Sequence, residues 1–178
     1  GMHNVSNALA VIAVSDLLGI DFETMKKGIF SFTGTDRRFQ YKGVRNGFTI
    51  IDDYAHHPTE IKATLSAAEN YPHNHLWCVF QPHTYTRTKA LMKEFADALS
   101  HAENIILAEI YPARETDNLG ISSATLAAEI EKLGKKCTYF SSFDEIETFL
   151  LENCAQDDLL ITMGAGDVVN IGNHLLGK

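Results

Sequence analysis

Cysteine is scarce in this 178-residue chain: Cys78, Cys137 and Cys154 are an odd number at wide spacing. That argues against a disulfide framework and for free thiols in a reducing cytosol. A basic tract is also missing, since 15 Lys and Arg face 23 Asp and Glu for a net charge of −8. General nucleic-acid binding depends on neutralising many phosphates, so it is not expected here. Local basic residues can still hold one small phosphorylated ligand. No apolar run approaches the ~20 residues of a membrane span, and no signal peptide is recognisable. The expected location is therefore cytoplasmic, with no membrane partner. Repeats and low-complexity stretches are absent too. What is present is ordinary for a globular protein: 45% hydrophobic and 21% charged residues, enough for a core and for one domain plus a piece of another.

Periodicity supplies the elements. Asn4–Leu18 reads as a helix stopped by Gly19, and Asp21 caps a second helix over Glu23–Phe30. Thr33-Gly34-Thr35-Asp36 breaks the pattern, which places a domain boundary between residues 34 and 35. Beyond it strands and helices alternate. Strands are predicted at Phe48–Ile51, Leu76–Phe80, Ile105–Ile110, Cys137–Phe140 and Leu159–Met163. Helices are predicted from a Thr59 cap to Asn70, over Thr88–Ser100, from Ser123 to Gly134, from a Ser142/Glu145 capping box to Cys154, and over Val168–Leu176. Such alternation implies an α/β fold with a mostly parallel sheet covered on both faces. Ligands in such folds bind beyond the carboxyl ends of the strands.

The chemically unusual residues gather at those ends. Asp52-Asp53-Tyr54-Ala55-His56-His57-Pro58 follows the first predicted strand. It is either a solvated turn or a ligand site, and crowded acids and imidazoles are not what packing asks for. Gln81-Pro82-His83-Thr84-Tyr85-Thr86-Arg87-Thr88-Lys89 occupies the same place one strand later. Arg87 there offers a planar fork suited to a carboxylate or phosphate. Arg37-Arg38-Phe39 stands just past the boundary, where the arginines either pair with acids or reach a nucleotide. Gly164-Ala165-Gly166-Asp167 is half a dinucleotide fingerprint, with Val169 in the place of the last glycine, and reads better as a tight turn. Gly172–Lys178, G-N-H-L-L-G-K, imitates a phosphate-binding loop but falls in a helix with no strand before it.

Taken in order, Met2-His3-Asn4-Val5-Ser6-Asn7, Arg37-Arg38-Phe39, D-D-Y-A-H-H-P-T-E, F-Q-P-H-T-Y-T-R-T, Ile110–Glu115 and Gly164–Asp167 resemble the Mur ligases along essentially the whole chain. The resemblance implies that residues 1–34 are the last helices of a central ATP-binding domain. Residues 35–178 would be a Rossmann-like C-terminal domain that binds the amino acid. Gln81–Lys89 favours the branch that adds L-alanine to UDP-N-acetylmuramate, using ATP and Mg2+ through an acyl phosphate in peptidoglycan precursor synthesis. Nucleotide contacts would come from His3, Asn4, Asn7, Arg38 and Asp53. Tyr54, His83 and Arg87 would line the amino-acid pocket, with His56 and Arg38 as the catalytic pair. The phosphate loop and the main Mg2+ ligands would lie in partner domains of the same protein, so this chain alone is expected to be inactive. Two rivals stand beside that reading. One is a metal-dependent hydrolase using Asp52, Asp53, His56, His57 and His83. The other is a non-catalytic nucleotide-binding module.

Overall fold

A computed structural model describes residues 2–178, with the side chains of residues 2 and 3 outside the description. It divides into two compact units, Gly1–Asp36 and Arg37–Lys178. The first holds α1 (Met2–Leu17) and α2 (Phe22–Ser31). Asp21 caps α2 by accepting from the Thr24 amide at 3.0 Å and from its hydroxyl at 2.6 Å. No described residue of this unit is buried, and Leu9, Leu17 and Phe30 stand 60%, 86% and 82% exposed.

The second unit is a six-stranded sheet: β1 (Gln40–Arg45), β2 (Phe48–Asp53), β3 (Leu76–Phe80), β4 (Asn104–Leu107), β5 (Cys137–Tyr139) and β6 (Leu159–Met163). Their order across the sheet is β1-β2-β6-β3-β4-β5, parallel throughout except for the antiparallel β1–β2 pair. The central strands are apolar on both sides, as a doubly covered parallel sheet requires. Ile51, Cys78, Phe80, Ile105, Leu107 and Ile161 face one core, together with α3 (Pro58–Glu69), α5 (Met92–Leu99) and α6 (Ser123–Lys132). Phe48, Ile50, Val79, Ile106 and Leu160 face the other, under α7 (Phe143–Asn153) and α8 (Val169–Leu175). The three cysteines are free, and burial pushes their thiols up to about 12, which leaves them unreactive.

Four local expectations need correction. Strand β1 was not foreseen, although Asn46-Gly47, at φ 49° and 90°, is the two-residue hairpin turn that makes it. The cap of α3 is His57, whose Nδ1 accepts from the Thr59 amide, and not Thr59. The helix expected over Thr88–Ser100 starts earlier and bends at Leu91 (φ −115°, ψ 25°), giving α4 (Tyr85–Ala90) and α5. Strand β4 ends at Leu107 because the chain then leaves the sheet to form a bridge between Tyr111 and His83.

Strand β6 lies between β2 and β3. The chain leaving β3 turns to the α5 face, while the chain leaving β6 turns to the α8 face. A crevice at the carboxyl ends of β3 and β6 follows from that divergence.

Candidate functional site

Strand β2 ends in two acids that do different things. Asp52 is fully buried and accepts from Arg37 Nε at 2.9 Å and Thr162 Oγ1 at 2.7 Å. The same guanidinium donates to the carbonyls of Gly164 (2.7 Å) and Gly166 (3.1 Å). Arg37 thus ties the ends of β2 and β6 together, and the alternative of an acid partner holds for it. Asp53, 5% exposed, accepts from the Phe39 and Ala55 amides, both at 2.8 Å. Burial pushes its carboxyl above the ordinary value, against the pull of those two hydrogen bonds, Arg38 and Thr64.

Arg38 faces outward. Its side chain is 52% exposed, 3.9 Å from Glu60 and 5.8 Å from the centre of the Tyr54 ring. Tyr54 lies edge-on to His56 at 5.3 Å. His56 Nδ1 is 3.0 Å from the Tyr54 carbonyl, which can only accept, so that nitrogen donates, and Nε2 is the ring position left for a lone pair. Glu60 closes the loop by accepting from the His56 amide at 3.0 Å. Burial raises the Glu60 carboxyl, but that hydrogen bond and the charges of His56 and Arg38 bring it below its usual value.

The β3 exit brings the second group alongside. The His83 ring is 6.1 Å from that of His56 and stacks on Tyr111 at 5.6 Å and 20°. Arg87 Nη1 donates to His83 Nδ1 at 3.4 Å, so the neutral His83 holds its proton on Nε2. Burial, and then the charges of Arg87 and His56, push its pKa below the ordinary 6.5. Arg87 reaches this place from the first turn of α4. That turn begins at Thr84, whose φ of 69° is strained for a β-branched residue. Lys89 is spent on the Leu119 carbonyl at 2.9 Å.

The Gly164–Asp167 turn joins the two strand exits. Gln81 Nε2 donates to Asp167 at 2.8 Å, and its Oε1 accepts from the Val168 amide at 3.1 Å. A concavity of about 410 Å3 adjoins this junction, lined by Gln81, Glu109, Tyr111, Ser142 and Asp167 among others. His56, His83 and Arg87 do not line it; they form a separate, half-exposed group.

The structure therefore brings Arg38, Tyr54, His56, His83 and Arg87 together, with Asp53 just beneath. Asn4 and Asn7 lie exposed on α1 in the first unit, and the side chain of His3 lies outside the described residues. The ligand set of the metal-hydrolase rival is not assembled. Asp52 and Asp53 are occupied as above, His57 caps α3, and no three His, Cys, Asp or Glu side chains among the described residues are grouped to hold a metal ion. Tyr111 and Glu115 also reach the β3 exit, and the Ile110–Glu115 motif is the signal they carry in the sequence.

Comparison with known proteins gives a consistent result. The family model described as "Mur ligase, glutamate ligase domain" matches residues 37–166. The chain is 61% identical over 176 residues to a UDP-N-acetylmuramate--L-alanine ligase of Lachnospira eligens, covering 99% of the chain and 38% of that protein. It is 60% identical over 178 residues to the enzyme of the same name from Agathobacter rectalis, covering all of the chain and 39% of that protein. Among solved structures, UDP-N-acetylmuramate-alanine ligase from Thermotoga maritima superposes with a TM-score of 0.82 at 29% identity, over 99% of the chain and 37% of that structure. A murein peptide ligase from Psychrobacter arcticus follows at 0.73 and 25%, over 99% and 37%. The chain thus spans under two fifths of the length of the relatives it matches.

Proposed function

The chain belongs to the Mur ligase family, and from that membership we propose that it is the amino-acid-binding part of an ATP-dependent ligase joining L-alanine to UDP-N-acetylmuramate. The observation that carries the reading is the convergence of two successive strand exits: His56 beside His83 at 6.1 Å, and His83 on Arg87 at 3.4 Å. Residues 1–34 belong, on this reading, to the central ATP-binding domain. The apolar side chains that α1 and α2 leave exposed are then the face that packs on the rest of that domain. Because both partners are cytosolic metabolites, the enzyme works in the cytoplasm.

The reaction has two steps. The muramate carboxylate attacks the γ-phosphorus of ATP, forming an acyl phosphate and releasing ADP. The amine of L-alanine then attacks the acyl carbon, and the tetrahedral intermediate expels phosphate. Charge gathers on the transferring phosphoryl group, where a cation placed in advance stabilises the transition state. Arg38 supplies it from this chain, being half exposed and only loosely paired with Glu60. Arg87 holds the alanine carboxylate, with neutral His83 alongside to fix the guanidinium. His56, its lone pair on Nε2, accepts the proton that the alanine ammonium loses. Asn4 and Asn7, with His3, contact adenine. Asp53 has already given lone pairs to Phe39 and Ala55 and is drawn on by Thr64, which leaves at most one for a ribose hydroxyl. Mg2+ would neutralise the phosphates, and the family resemblance assigns its main ligands to the remainder of the protein.

In the full-length protein, Arg87→Ala raises the alanine KM roughly ten- to a hundredfold, the worth of a lost charge-assisted pair, with a smaller effect on the KM for ATP. Arg38→Ala lowers kcat on the order of 100-fold. An unchanged alanine KM removes Arg87 from the pocket, and a normal kcat removes Arg38 from the phosphate.

A further inference from the structure

Arg87 sits on a helix that cannot hold itself. Helix α4 has six residues, too few to be stable alone, and it starts from the strained Thr84. Its own cap is weak: Thr84 Oγ1 accepts from the Arg87 amide at 3.4 Å. The support comes from the chain that follows β4. Thr84 N donates to the Tyr111 carbonyl and Tyr111 N to the Pro82 carbonyl, both at 2.9 Å, so the backbone is clamped on either side of His83. Four residues later Glu115 reaches the start of α4. Its Oε2 accepts from the Tyr85 amide at 2.5 Å and the Thr86 amide at 3.1 Å, and its Oε1 accepts from the Thr86 hydroxyl. Those bonds, the Thr86 hydroxyl first, hold the Glu115 carboxyl below its usual value, so it stays ionised.

We propose that Glu115 is a positioning residue for the amino-acid pocket: by capping α4 from the neighbouring loop, it keeps Arg87 aimed beside His83. The proposal rests on the reading of Arg87 as the holder of the alanine carboxylate. Glu115 acts through the helix start and touches no reacting atom. It also faces His83 electrostatically. Burial first, then Arg87 and His56, push the imidazole toward neutrality, Glu115 pulls the other way, and Tyr111 covers one ring face.

The test uses the full-length protein with Glu115→Ala and Glu115→Gln. Glu115→Ala raises the alanine KM about tenfold, approaching the effect of Arg87→Ala, while the KM for ATP moves less than twofold. Glu115→Gln keeps an acceptor oxygen for the two amides and restores the KM to within about threefold. Removing the negative charge displaces the His83 titration, followed by the NMR signals of its ring protons, to lower pH. An alanine KM within twofold of wild type in Glu115→Ala, or equal rises in both KM values, overturns the proposal. If Glu115→Ala fails to fold, Glu115→Asp, which keeps the charge but shortens the reach, decides: hydrogen exchange at the Tyr85 and Thr86 amides no faster than in wild type overturns the proposal. That exchange needs no turnover. A wild-type protein without alanine-dependent phosphate release therefore defeats the ligase reading, and the Glu115 claim is still answered separately.

Discussion

His56 and His83 lie side by side yet are held in opposite tautomers. A carbonyl takes the Nδ1 proton of His56, while a guanidinium proton takes the Nδ1 lone pair of His83. The first ring is left able to accept a proton, and the second is committed to orienting Arg87. The consequence is a definite pH dependence. The folded chain holds His83 below the ordinary 6.5, so its arrangement is complete above that value and is lost as pH falls through the lowered pKa. Protonation there sets a cation against Arg87. We expect kcat/KM for alanine to fall on the acid side with a limb that His83→Asn moves or abolishes; a limb unchanged in that variant assigns it to another group. Arg38 and Arg37 carry a second lesson. Adjacent and identical in type, and both near the Tyr54 ring, they take opposite fates, one half-exposed beside Glu60 and one tied to buried Asp52. Nothing in the letters distinguishes them, because the difference is which side of the loop meets the β6 turn.

Among elements, the Gly164–Asp167 turn is the junction on which the two strand exits meet. Its sequence suggested a tight turn, and the structure shows why it needs glycine. A Cβ on Gly166 would come within 2.4 Å of Gln81 Oε1 and 2.8 Å of Tyr111 Cγ. Gln81 cannot swing aside without breaking its bonds to Asp167 and Val168. Gly166→Ala should therefore lower stability by about 1–3 kcal/mol, the usual cost of overpacking. Because Tyr111 carries His83, it should also raise the alanine KM. Urea denaturation with unchanged stability would refute the first expectation. Helix α4 shows the limit of reading elements from periodicity: its true start, at Thr84, depends on Glu115, which lies 30 residues or so away in the chain. Strand β1 is the reverse case. Its Asn46-Gly47 turn was legible, but the flanking residues lack a clean alternation, because an edge strand is only half buried.

For the whole molecule, the proposed reading makes the site half of something larger. Positive and imidazole groups gather on an open surface of the second unit, and the first unit keeps its apolar residues exposed. No G-x-x-x-x-G-K-[ST] loop occurs in the 178 residues. These residues alone should accordingly show negligible alanine-dependent ATP hydrolysis, measured as phosphate release. Turnover comparable to the full-length enzyme would show that the division of labour is wrong, and full-length protein without alanine dependence would favour the nucleotide-binding module.

By itself the sequence determined the α/β alternation, the doubly covered sheet and the two polar clusters after β2 and β3. Each depends on local periodicity, or on residue types that packing would not choose. Only the tertiary structure decided the insertion of β6 between β2 and β3, the separate fates of Arg37 and Arg38, and the capping of α4 by Glu115. Those are contacts between residues far apart in the chain, set by how strands order themselves across the sheet, and pattern along the chain carries no record of that order.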